Sequence, residues 1–278
     1  FAEILGTDAS NVFIGNSSSL NLMFDTLMRA CAFGEVDSEK PWFQVEGRKW
    51  LCPVPGYDRH FKVTQQMGFE LIPVPMTNEG PDMDVVEELV KDPTVLGMWL
   101  VPVYSNPDGI TCSEETCNRL ASMKTAAKDF RIFWDNAYCV HHLYDDAAKQ
   151  ESCPDILSLC EKYGNANRVY EFASTSKITF ASSGISCFTS SKENFDHAKK
   201  ILAVQTIGAN KINQLAHSVM FPNLAAIKEQ MMKHAEILRP KFEKTLEILD
   251  NELTGLDVAT WHKPNGGFFI SVNVFPGT

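Results

Sequence analysis

Short apolar runs alternate along this chain with longer stretches whose apolar positions recur at helical spacing. Asn11 to Ile14, Trp50 to Cys52, Phe69 to Val74, Val95 to Val103, Arg131 to Asp135, Arg168 to Ala173 and Gly184 to Thr189 read as strands. Leu20 to Ala32, Tyr57 to Met67, Met83 to Lys91, Ser113 to Lys128, Pro154 to Tyr163 and Lys192 to Val204 read as helices between them. Repeated strand-then-helix units with strongly apolar strands predict an α/β fold around a mostly parallel sheet. After Asn213 the pattern changes. Ala216 to Asn251 reads as long helical segments with charge pairs such as Glu229/Lys233, and Asp257 to Ala259 and Gly267 to Val272 read as two further strands. The expected division is a large domain over 1–215, then a connecting helix and the beginning of a small α+β domain over 216–278. The chain begins at Phe1 rather than Met and stops just after a strand-like run, so both ends read as cut.

At 278 residues, with 44% hydrophobic and 22% charged residues, the chain can bury a large core. Its net charge of −10, with both signs mixed along the sequence, argues against a nucleic-acid groove. It does not argue against a small anion, which a few N–H groups and one lysine can hold. The eight cysteines are scattered, with no zinc-like spacing, and several lie in apolar segments. That usage fits a reducing cytoplasm. No apolar run approaches the ~18 residues of a membrane span.

In a sheet of this kind ligands bind beyond the carboxyl ends of the strands. Five polar segments follow predicted strands: Asn16 to Ser19, Pro55-Gly56-Tyr57, Ser105 to Gly109, Asp135 to Tyr138, and Ser174 to Lys177. Lys177, placed past a buried strand among small hydroxyl residues, is either a solvated loop lysine or a desolvated amine able to form a Schiff base. Ser17, Ser18 and Ser19 open a helix and either cap it or offer hydroxyls and N–H groups to a phosphate. Asp135 either caps a turn or holds a proton on a ring nitrogen of a heteroaromatic cofactor. Tyr138, three residues on, can reach the same ring. Asn106 is explained by turn chemistry or by an amide donating to a ring hydroxyl or a substrate carboxylate. Tyr57 is a helix-entry residue or a ring-stacking one. His141-His142 is a poor metal pair, because adjacent side chains diverge on either a strand or a helix. No GxGxxG, GxxxxGK[ST] or GxSxG motif is present.

The order of these segments resembles the fold-type I pyridoxal-phosphate enzymes, specifically class I/II aminotransferases. It comprises a serine-rich loop, an aromatic after Pro-Gly, Asn106-Pro107-Asp108-Gly109, Asp135-Asn136-Ala137-Tyr138 and Ser174-Thr175-Ser176-Lys177, with Gly266 to Phe269 near the end. The wording of Gly15 to Leu22 and Ser174 to Ile178 is most similar to the MocR-like subgroup, some members of which act on aspartate. The resemblance implies a three-layer α/β/α large domain, pyridoxal 5'-phosphate as cofactor, and transfer of an amino group between an amino acid, aspartate or a related one, and a 2-oxo acid such as 2-oxoglutarate. It implies a homodimer with active sites at the interface, Gly208 to Gln214 lying near the partner's site. By the same resemblance, Lys177 forms the Schiff base and shuttles the substrate α-proton. Asp135 pairs with the pyridine nitrogen, Tyr138 with the ring hydroxyl, and Asn106 with that hydroxyl or the substrate carboxylate. Tyr57 stacks on the ring, and Ser17, Ser18, Ser19, Ser174 and Ser176 hold the phosphate. Many relatives carry a phosphate-binding Arg shortly after the lysine, but Ile178 to Ile185 contain none. The family's substrate-carboxylate Arg falls past Thr278. Other readings on this fold are a lyase or decarboxylase, and the ligand domain of a transcription regulator.

Overall fold

The apolar runs assemble into one eight-stranded sheet in a computed structural model that describes residues 1–277. Its strands are β1 (Phe13–Ile14), β2 (Lys49–Val54), β3 (Glu70–Thr77), β4 (Gly80–Pro81), β5 (Val95–Leu100), β6 (Arg131–Asp135), β7 (Val169–Ser174) and β8 (Ser186–Ser190). They lie in the order β1-β8-β7-β6-β5-β2-β3-β4. The pairs from β7 through β6, β5 and β2 to β3 are parallel, whereas β4, β8 and β1 join antiparallel at the two sides. The chain runs from β2 out to β3, then returns past β2 to β5 and proceeds the other way through β6 and β7. The order thus reverses between β2 and β5, where sheets of this type open a crevice at their carboxyl ends.

The helices are α1 (Ala2–Leu5), α2 (Ser19–Phe33), α3 (Asp58–Gln66), α4 (Met83–Leu89), α5 (Glu114–Ser122), α6 (Ile156–Lys162), α7 (Lys192–Gln205), α8 (Lys211–Met220) and α9 (Leu224–Leu253). No helix among the described residues is long and apolar enough to cross a membrane. β5, β6 and β8 are buried along their whole length, consistent with cover on both faces. Their core is aromatic. Trp50 packs on Trp99 and Phe133, and Phe133 on Phe172, with centroids 5.0–5.5 Å apart along the series Trp50, Trp99, Phe133, Phe172. Gly97 makes room for this packing, because a Cβ there would lie 2.4 Å from the Trp50 ring.

Several boundaries differ from those read in the sequence. The helix expected over Ser113 to Lys128 ends at Ser122. Buried Arg168 donates through Nη1 to the carbonyls of Leu120, Ala121 and Met123, satisfying orphan acceptors of the last turn and ending it there. The strand begun at Val95 ends at Leu100, and two residues later Pro102 has no N–H to give a ladder. The helical segments after Asn213 prove to be α8, beginning earlier at Lys211, and α9, which continues through Pro240. The last two strands form a separate ribbon, β9 (Ala259–Trp261) with β10 (Val272–Val274). Gly267, expected in a strand, has φ +77° and donates instead to the His141 carbonyl at 2.9 Å.

Candidate active site

Lys177 follows β7 in a single helical turn closed by the Thr175 carbonyl, which accepts from the N–H groups of Ile178 and Thr179, both at 2.9 Å. The buried Thr175 hydroxyl accepts from the Ile185 N–H at 2.8 Å and pairs with His217 Nε2 at 2.9 Å. His217 Nδ1 lies 2.9 Å from the Asn213 carbonyl, which can only accept. Nδ1 therefore donates to that carbonyl, and Nε2 is the nitrogen paired with the Thr175 hydroxyl. Ser176 Oγ donates to the Ser17 carbonyl at 2.7 Å, joining the lysine turn to the serine loop. Gly184 passes beneath this joint. A Cβ on it would sit 2.8 Å from Ser176 N and 2.9 Å from Ser17 O, so only glycine fits.

The turn places Lys177 Nζ 4.5 Å from the centroid of the Tyr138 ring. Burial pulls the Lys177 ammonium below the usual lysine range, opposed by the Asp135 carboxylate. Tyr138 is itself buried, and burial together with Asp135 raises its phenol, so its hydroxyl stays protonated; the Asn106 amide faces that hydroxyl. Asp135 ends β6 and is 4% exposed. Its Oδ2 lies 3.1 Å from His60 Nε2, while its Oδ1 has no hydrogen-bond partner. His60 lies flat on Trp99, with centroids 4.6 Å apart and planes at 15°, and meets Tyr57 edge-on at 5.0 Å.

Ser18 caps α2, its hydroxyl accepting from Leu20 N–H at 3.2 Å, and Ser19 is the buried first residue of that helix. The helix therefore begins at the serine loop, with its free N–H groups and positive dipole end there. Ser174 closes β7 opposite Ser186. Gly208 to Gln214 lies against this loop within the same chain. Asn210 N–H donates to Asn16 Oδ1 at 3.3 Å, and Asn213 Nδ2 to the carbonyls of Ser183 and Gly184 at 3.0 Å each.

All five strand-end segments thus gather on one rim. His60, His217 and Gly184 also shape this rim and are not among the residues that the sequence singles out. His60 was within reach, because it follows Tyr57 by three residues at the start of a helix and so shares its face. His217 and Gly184 carry no local signal; their importance comes from the lysine turn that they support. A cleft of about 920 Å³ opens elsewhere, lined among others by Asp8, Asp37, Arg131, Asp155 and Glu193, and contains none of these groups.

The residues on the rim fit pyridoxal phosphate. A buried carboxylate oxygen without a partner is costly, and a protonated ring nitrogen satisfies it. The desolvated lysine, the protonated phenol with its amide, and the helix N-terminus match an aldehyde, a ring hydroxyl and a phosphate.

Comparison with known proteins agrees in kind. The family model described as aspartate amino-transferase matches residues 1–278. An aspartate aminotransferase of Corynebacterium glutamicum is 51% identical over 278 residues, covering 100% of this chain. The chain spans 64% of that relative's length. A crystal structure of an aspartate transaminase from the same species superposes with a TM-score of 0.96 at 51% identity, covering 100% of this chain and 65% of the other. An α-aminoadipate aminotransferase from Thermus thermophilus, crystallised with N-(5'-phosphopyridoxyl)-L-leucine, shares the fold, with a TM-score of 0.76 at 21% identity over 99% of this chain and 64% of its own.

Proposed function

Since this chain belongs to the aspartate amino-transferase family, we propose that the protein is a pyridoxal-phosphate-dependent transaminase that moves an amino group between aspartate, or a related amino acid, and a 2-oxo acid such as 2-oxoglutarate. The observation that carries the reading is the unpartnered Asp135 Oδ1, buried on the same rim as a lysine whose charge is disfavoured.

When bound, the cofactor supplies an aldehyde that bonds amines and a ring that spreads the electrons left on a substrate α-carbon. The chain's own residues supply the rest. Lys177 Nζ, poor in solvation, is the nucleophilic amine and the base that takes the proton from the substrate α-carbon. Asp135 Oδ1 would hold a proton on the ring nitrogen, with His60 fixing the carboxylate by its other oxygen. Tyr138 and Asn106 would donate to the ring hydroxyl, and Tyr57 would cover the ring. Ser17, Ser18, Ser19, Ser174 and Ser176 with the start of α2 would hold the phosphate. Asn210 holds Asn16 in place beside them.

Two copies are proposed to assemble around their sites. Ile212, Leu215 and Val219 of α8 are 64–83% exposed, an apolar face beside the lysine turn that a second copy can cover. The test uses the full-length protein. Adding pyridoxal phosphate should give a visible absorbance band that Lys177→Ala abolishes, and aspartate with 2-oxoglutarate should yield glutamate. A protein with no lysine-dependent band overturns the reading. Release of ammonia or carbon dioxide without glutamate replaces transamination with lyase or decarboxylase chemistry.

A further inference from the structure

His141 is 3% exposed, and neither of its ring nitrogens makes a well-formed hydrogen bond, the Lys177 backbone offering only a weak one. A buried imidazole so poorly satisfied is rare, because each missing bond costs stability. The surroundings show what it is for. Its backbone is tied down, N–H to the Tyr138 carbonyl and C=O to the Gly267 N–H, both at 2.9 Å. The ring packs edge-on against Tyr138 at 5.6 Å and Phe268 at 5.2 Å and lies against the Lys177 backbone, while the Lys177 amine sits 4.5 Å from the centroid of the same Tyr138 ring. The other titratable groups near it are His234 from α9 and the adjacent His142. Those near Lys177 are Asp135 and Tyr138.

Burial first, and then the Lys177 charge, push the His141 imidazole down to about 3, so it is neutral at physiological pH. A neutral imidazole always offers one lone pair. In transamination Lys177 spends part of each cycle released from the cofactor. A free ammonium in so dry a place needs an acceptor.

We propose that His141 is a positioning residue whose neutral imidazole accepts a hydrogen bond from the Lys177 amine whenever that lysine is not bonded to the cofactor. It thereby keeps the released side chain on the reacting face instead of letting it leave for solvent, and it stabilises the protonated amine. This rests on the reading of Lys177 as the cofactor lysine.

The test takes full-length protein loaded with the amino form of the cofactor, which leaves Lys177 free. Trace labelling with acetic anhydride across a pH series reads the neutral fraction of Lys177 by peptide mass spectrometry. In His141→Phe the ammonium loses its acceptor, so Lys177 should label about tenfold more at a given pH below its midpoint, and the profile should move to lower pH. His141→Gln, which keeps an acceptor, should track the wild type. Should the Phe variant not fold, His141→Met gives the same comparison. An unchanged profile in the apolar variant, or a Gln variant that behaves like it, overturns the inference. Failure of the cofactor reading itself would look different, as absence of the lysine-dependent visible band in the wild type.

Discussion

Ser176 and Ser17 stand 159 residues apart in the chain and 2.7 Å apart in space, the Ser176 hydroxyl donating to the Ser17 carbonyl. This one bond couples the loop at the start of α2 to the turn that carries Lys177. The two halves of the candidate site are set relative to each other by it and by the glycine beneath.

Ser176→Ala should loosen that coupling at small global expense. A neutral hydrogen bond is worth about 0.5–1.5 kcal/mol, so the denaturation midpoint should scarcely move. The expected effect is faster loss of cofactor on dilution, followed by absorbance. Gly184→Ala should be more severe, because its Cβ meets backbone on two sides, and cofactor retention should be largely lost. If Gly184→Ala holds cofactor as the wild type does, the close approach is not what shapes the turn.

His60→Phe preserves the stack on Trp99 and removes only the bond to Asp135. A hydrogen bond to a charged group is worth about 1.5–3 kcal/mol, so cofactor affinity should fall by about tenfold to a hundredfold. Equilibrium titration of the visible band measures it. Equal affinities for variant and wild type would show that Asp135 needs no support.

Glu171 gives a pH signature unrelated to catalysis. It is buried in β7, accepts from Asn136 Nδ2 at 2.6 Å, and burial raises its carboxyl from 4.5 to about 8. The folded state therefore holds a proton that the unfolded chain has released between those values. Its stabilising contribution is full below about pH 4.5 and is lost as pH rises toward about 8. Glu171→Gln keeps an acceptor for Asn136 but cannot ionise. Denaturant melts at pH 6 and pH 8.5 should show a smaller drop in the variant than in the wild type, and parallel drops would assign the slope to other groups.

Gly97→Ala tests the core. The new methyl would meet the Trp50 ring at 2.4 Å and the Arg131 carbonyl at 2.6 Å. Overpacking of this kind costs about 1–3 kcal/mol, which a chemical denaturation curve resolves. A midpoint equal to the wild type would mean that Trp50 has room to move.

The hydrophobic pattern made the α/β architecture and the parallel heart of the sheet legible. Strands such as β5 and β6 are apolar throughout because both faces are covered, and that is visible residue by residue. The strand-end segments were legible too, because polar residues just past a buried run have few places to go. What stayed hidden depends on distant partners. The early end of α5 is dictated by Arg168, a residue with no sequence relation to that helix. The bond between Thr175 and His217 belongs to a pair 42 positions apart. The two-residue strand β4 is too short to have a period. Gly267 read as strand because it lies in an apolar run, yet its left-handed backbone turns the chain behind Tyr104.

β1 is only Phe13 and Ile14, and its partner is β8, paired antiparallel at Phe188 and Cys187. The serine loop hangs from this short strand, and the Asn16 carbonyl is held by Ser186 N–H at 2.7 Å and Ser186 Oγ at 2.8 Å. The serine loop therefore precedes in the chain the partner that fixes it. It waits until β8 has emerged and docked, a closure over 170 residues, and contacts of such separation form late. On the proposed function, a nascent chain lacking β8 is expected not to hold the cofactor, so that its capture would mark the completion of the sheet rather than guide its assembly.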